Sequence, residues 1–205
     1  MKGTTISTFE RGRDVTRALI IIDVQNDFTE GGPLGAPGRD AVARAIGAYV
    51  ASSRPSYELV ITTQDWHIDP GEHFVKHAVH CRAATEGAAL DSELSTGAGR
   101  PIAQLVDVML RKGHYDEDFS GYLAIDDDGR ALRDVLTASG IEALDVCGFV
   151  TNGCVAATVR DALAASMPVR LITDLSSASD PVAALATEKE FAEGGVDVIT
   201  SSEAW

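Results

Sequence analysis

Six apolar runs of strand length recur along the chain with helix-like segments between most of them, and this alternation restricts the fold more than any other feature. The runs are ALIIIDV at 18–24, LVITTQDW at 59–66, VDVML at 106–110, ALDVCGFV at 143–150, VRLITDL at 169–175 and VDVIT at 196–200. Segments 39–52, 130–139, 154–166 and 182–193 are rich in Ala, Leu, Glu and Arg and read as helices. Strands that are apolar throughout are buried on both faces, which implies a parallel sheet with helices above and below it. The expected fold is a three-layer α/β/α domain spanning 1–205. Its sheet is six-stranded and mainly parallel, with the doubly wound order 3-2-1-4-5-6. A chain of 205 residues, 45% hydrophobic, can bury one substantial core. Residues 67–101 stand apart as a long segment of little periodicity, and such loops are often functional.

Doubly wound sheets bind ligands beyond the carboxyl ends of their strands, where the strand order reverses. That rule selects Asp23 after the first run, Asp65 and His67 after the second, Lys112 after the third and Cys154 after the fourth. In the stretch 143–164 an apolar run passes through a corner, with Gly148, Asn152 and Gly153, into helical spacing. Cys154 is expected in the first turn of that helix, where the helix dipole favours a thiolate. Asp23 follows three isoleucines and needs a partner when buried there. Lys112 is the expected partner, keeping Asp23 ionised and helping to lower the thiol pKa. Nucleophile, base and cation form a workable unit for covalent catalysis.

A second cluster lies in QDWHIDPGEHF and the VHC that follows it. Four of the five histidines fall between 67 and 80, and with Asp65 they make a ligand set for zinc, iron or manganese. Asp65, His67, His73 and His80 are the candidate ligands, with Asp69 and His77 as alternatives on spacing alone. The run Asp126, Asp127, Asp128 lacks the further positions of a calcium loop and reads as solvated. A net charge of −14 disfavours nucleic acid or anionic membrane as partner. No apolar run reaches membrane-span length and the N-terminus has no signal-peptide core, so a cytoplasmic protein is expected. Three cysteines, odd in number and without zinc-type pairing, fit a reduced compartment. A homo-oligomer is compatible with all of this.

These motifs together resemble the isochorismatase-like cysteine hydrolases, and within them the nicotinamidase/pyrazinamidase branch. The matching stretches are IIDVQNDFTEGGPL at 21–34, TTQDWHIDPGEHF at 62–74, HC at 80–81, RKG at 111–113 and GFVTNGCVAATVRDA at 148–162. The resemblance implies a catalytic triad of Asp23, Lys112 and Cys154 and a divalent metal, zinc before iron or manganese, on Asp65, His67, His73 and His80. It implies a cis peptide between Phe149 and Val150, and an oxyanion hole from the backbone N–H groups of Val150 and Cys154. Phe28, Leu34 and Phe119 match apolar pocket positions. The implied reaction is hydrolysis of a small primary amide, nicotinamide foremost, through a thioester. A sister amidase acting on another amide or ureido compound is the first rival, and a non-catalytic sensor the second. The branch usually carries an aromatic residue just before the last metal histidine; this chain has His77 there, in a short loop.

Overall fold

The computed structural model describes residues 15–205; the N-terminal stretch in which no signal peptide is expected lies outside them. One sheet contains β1 (Arg17–Ile22), β2 (Leu59–Asp65), β3 (Val108–Lys112), β4 (Ala143–Phe149), β5 (Val169–Ser177) and β6 (Asp197–Ile199). Its order is β3-β2-β1-β4-β5-β6 and every pairing is parallel. The expected topology holds, with "mainly parallel" becoming parallel throughout. The helices are α1 (Arg39–Ser53), α2 (His73–Lys76), α3 (Ser92–Ala98), α4 (Leu132–Ala138), α5 (Ala156–Ala164) and α6 (Pro181–Glu193). None of the described helices is long and apolar enough to cross a membrane.

Successive strand residues point to opposite faces, so β1 feeds two cores. Ile20 and Ile22 pack with Leu132 and Val135 of α4, Val159 of α5 and Phe191 of α6. Leu19 and Ile21 pack with Ile46 and Val50 of α1 and Leu94 of α3. All four β1 side chains are fully buried, and each such burial contributes about 1.5–3 kcal/mol. The centre of the sheet is therefore a rigid base for its carboxyl edge.

On the second face α1 and α3 approach so closely that residue 47 must be glycine. A Cβ there would lie 2.0 Å from the Leu94 carbonyl oxygen, a backbone atom that cannot swing aside. Gly47→Ala is expected to destabilise the protein by about 1–3 kcal/mol through overpacking. A urea titration should show a lower midpoint with an unchanged slope. An unchanged midpoint would mean that the two helices do not pack this closely.

Three expectations need correction. The third strand runs from Val108 to Lys112, not over 106–110; just before it Asp107 donates its N–H to the Val60 carbonyl at 2.8 Å, while its carboxylate accepts from Val60 N at 2.7 Å and pairs with Arg54 at 2.7 Å. β3 is an edge strand with alternating exposure, and edges tolerate charge. Arg111 accordingly lies over the Trp66 ring, 4.1 Å from its centroid. An apolar-run criterion stops short of such residues. Segment 67–101, expected as a long loop, contains the short helices α2 and α3. Finally, α5 begins at Ala156; Cys154 lies before it, in a wide turn over Thr151–Val155 that departs from helical geometry at Gly153.

Candidate active site

Parallel register assembles the first cluster. Asp65 and Lys112 are partners at the ends of β2 and β3, and Ile22 pairs with Gly148 at the ends of β1 and β4. Gly148 has φ +117°, and a Cβ there would lie 2.2 Å from the Ile22 carbonyl oxygen, so the two strands can leave the sheet together only with glycine at this place. Asp23 follows Ile22 in left-handed backbone, φ 50°, a conformation that costs a non-glycine residue about 1–2 kcal/mol. Its Oδ1 accepts from Thr63 Oγ1 at 2.6 Å and its Oδ2 lies 2.9 Å from Lys112 Nζ. Lys112 Nζ also donates to Asp65 Oδ1 and stands 3.5 Å from Cys154 Sγ. Asp23, Asp65, Lys112 and Cys154 are all buried. One ammonium thus touches two carboxylates and a thiol.

Burial decides the protonation states. It pushes the Cys154 thiol well above its ordinary value; Lys112 opposes this, while Asp23 and Asp65 add to it. Lys112 does pull the thiol pKa down as expected, but desolvation outweighs it and the net direction is upward. Burial also raises Asp23, against the pull of Lys112 and of the Thr63 hydrogen bond. For Lys112 burial acts downward, but Asp23, Asp65 and Cys154 outweigh it and hold the ammonium well above the usual lysine value. A protonated thiol, a carboxylate of raised basicity and a permanent cation are thus in mutual reach. That set can pass a proton from sulfur to Asp23 at the moment of attack.

The second cluster adjoins the first through Asp65. Its Oδ2 is 3.8 Å from His67 Nε2 and 3.8 Å from His80 Nε2, and His73 Nε2 is 3.4 Å from His80 Nε2. His67 Nδ1 donates to the Gly113 carbonyl at 2.6 Å and His80 Nδ1 to the Ala78 carbonyl at 2.7 Å. Carbonyls only accept, so the hydrogen sits on Nδ1 and the Nε2 lone pairs face inward. His67 Nε2 is buried with no hydrogen-bond partner among the described residues. Burial, then His67 and His80, bring the His73 pKa down to about 4, and burial lowers that of His80. Neutral imidazoles are what metal ligation requires. The donor set, three inward nitrogens and a carboxylate oxygen, fits a divalent ion such as zinc. Of the alternatives, Asp69 is exposed, and His77 is exposed at the rim with its ring 4.7 Å from that of His73.

A cavity of about 230 Å³ opens onto both clusters. Phe28, Leu34, Phe119, Val150 and Cys154 line it, beside Asp65, His73 and His80. The Phe149–Val150 peptide is cis, as expected. Asn152, His77 and Ser179 line the cavity too; Ser179 carries no sequence signal, and Asn152 reads in the sequence only as a corner residue. Two supporting residues also escaped notice. Gln25 clamps the Asp65 backbone, donating to its carbonyl at 2.9 Å and accepting from its N–H at 2.9 Å. Thr63 holds Asp23. Both fall inside the matching motifs, which was the only signal available for them.

Comparison with known proteins agrees with this geometry. The Isochorismatase domain model matches residues 17–203. A nicotinamidase/pyrazinamidase of Mycobacterium tuberculosis is 36% identical over 193 residues, covering 91% of this chain and all of that protein. The L. infantum protein PnC1, solved in complex with nicotinate, superposes with a TM-score of 0.77 at 32% identity, covering 93% of this chain and 95% of that one. The pyrazinamidase of Pyrococcus horikoshii, solved in complex with zinc, gives a TM-score of 0.75 at 26% identity, covering 90% and 98%. With its sheet order, its Asp-Lys-Cys cluster and its adjoining histidines all in place, this chain belongs to the isochorismatase family.

Proposed function

We propose that the chain is a metal-dependent cysteine amidohydrolase that converts nicotinamide to nicotinate and ammonia, and pyrazinamide likewise. The observation that carries this reading is the contact of the single Lys112 ammonium with Asp23, Asp65 and Cys154 beside three inward-facing imidazoles. The similarity to the M. tuberculosis enzyme and to the nicotinate complex supports the choice of substrate.

In this mechanism Cys154 Sγ attacks the amide carbon as its proton passes to Asp23. Lys112 stays charged throughout and stabilises whichever of Asp23 and Cys154 is anionic. The N–H groups of Val150 and Cys154 hold the amide oxygen as it becomes an oxyanion. Asp23 returns the proton to the leaving nitrogen, so ammonia departs and a thioester remains. Asp23 then takes a proton from water as the water adds to the thioester carbon and gives it to the sulfur; the carboxylic acid leaves and loses its proton to become nicotinate. Phe28, Leu34 and Phe119 pack the ring. Asp65, His67, His73 and His80 would hold the metal, with zinc first and iron or manganese next. When bound, it supplies a Lewis-acid position for a pyridine nitrogen and so orients the ring.

Ammonia release from nicotinamide, pyrazinamide, benzamide and a carbamoyl amine, on metal-loaded and metal-stripped protein, tests the assignment. Nicotinamide should be the fastest, and stripping should slow it about 10²-fold, the effect of a misplaced reacting group. Benzamide, lacking the nitrogen, should be poor in both states. Equal rates on nicotinamide and benzamide would rule out selection by the metal. The exposed His77 imidazole at the rim favours a second reading, an amidase of the same family for a different small amide, and faster turnover of the carbamoyl amine would establish it. No ammonia from any of them would leave a binding protein.

A further inference from the structure

Arg39, the first residue of α1, is one of the largest fully buried side chains in the protein. Its partners among the described residues are all neutral. Nη1 donates to the Phe28 carbonyl at 2.9 Å and to the Leu34 carbonyl at 2.8 Å, and Nη2 donates to Ser179 Oγ at 3.2 Å. The guanidinium lies over the Phe149 ring, 5.5 Å from its centroid, and Nε is buried with no hydrogen-bond partner among the described residues. A buried cation without an anion is costly, so stability alone is a poor reason to place one here. What the group provides is geometry. A planar fork can hold two carbonyls on one nitrogen and a hydroxyl on the other, which a flexible point charge such as lysine reproduces only in part.

Each hydrogen-bond partner belongs to a residue that lines the cavity: Phe28, Leu34 and Ser179. Phe149 immediately precedes Val150, which lines it too. Three segments distant in sequence are thus joined behind the pocket by one side chain that does not itself line the cavity. We propose that Arg39 is a positioning residue that fixes the apolar wall of the substrate pocket by tying Phe28 and Leu34 to Ser179. The inference rests on the nicotinamidase reading for its choice of substrate. It predicts a specific kinetic signature, because Asp65 is held independently by Gln25 and His67 by Gly113. Loosening the wall should therefore weaken ring binding while leaving the reacting groups in place.

The test is steady-state kinetics on nicotinamide with the zinc-loaded full chain, together with zinc content and melting temperature, for wild type, Arg39→Met, Arg39→Lys and Ser179→Ala. In Arg39→Met, KM should rise about tenfold with kcat within about threefold and zinc content unchanged, the pattern of lost uniform binding. Arg39→Lys should fall between Met and wild type, and Ser179→Ala should shift KM the same way by less. A purely structural Arg39 would lower the melting temperature without moving KM. A KM within about twofold of wild type in folded Arg39→Met overturns the proposal. If that variant does not fold, the same result in both Arg39→Lys and Ser179→Ala overturns it. Wild type that releases no ammonia from nicotinamide overturns the functional reading, and this inference with it.

Discussion

Replacing Cys154 by alanine is expected to lower nicotinamide turnover by about 10⁴-fold or more while leaving the fold intact. The side chain is buried at the floor of the cavity and contributes one sulfur atom to the core, so stability changes little. Cys147→Ala is the control. Cys147 is fully buried inside β4, its thiol is pushed up by burial and by Asp145 and Asp174, and it does not line the cavity. Activity should survive its loss within about twofold, since surface and core thiols away from the site act only through stability. Iodoacetamide should label Cys154 before Cys81 or Cys147, because only Cys154 lines the cavity. A Cys154→Ala protein with turnover within tenfold of wild type would mean that the nucleophile lies elsewhere.

The second large effect is expected at the ion cluster, where activity and stability should part company. Asp23→Asn removes the base but leaves Lys112 paired with Asp65. Turnover should fall by more than the ~10²–10⁴-fold of an isolated acid–base contribution, with the fold retained. Lys112→Ala should be comparably inactive and also lose about 3–5 kcal/mol, because Asp23 and Asp65 would be left buried without their cation. Adding Asp23→Asn to Lys112→Ala removes one of those stranded charges. The double variant should therefore be more stable than Lys112→Ala alone and no less active than the worse single. Losses that multiply, or a double variant less stable than both singles, would count against one coupled unit.

Much of this arrangement was legible in the sequence because the parallel α/β rule is geometric. Once six apolar runs alternate with helices, their carboxyl ends form one edge, and Asp23, Asp65, Lys112 and Cys154 fall on it. The histidine-rich loop declared itself by composition. What escaped depends on neighbours that a single stretch does not reveal. The contacts of Asp107 with Val60 and Arg54, just before β3, join residues far apart in sequence. The direction of the thiol pKa rests on how completely Cys154 is desolvated, which outweighs the Lys112 charge that the sequence suggested. The offset of α5 from Cys154 rests on the turn at Gly153. Arg39 reads as an ordinary polar residue opening a helix until the fold places Phe28, Leu34 and Ser179 around its guanidinium.

The central claim is a thioester on Cys154, and acid quenching during turnover tests it most directly. Metal-loaded wild-type protein mixed with excess nicotinamide, quenched and digested, should carry a nicotinoyl group on the peptide that contains Cys154. Brief treatment of that peptide with hydroxylamine should remove the group, as expected for a thioester, and Cys154→Ala should show neither the adduct nor ammonia release. Undiminished ammonia release by Cys154→Ala, with no acyl group on any wild-type cysteine, would contradict the account.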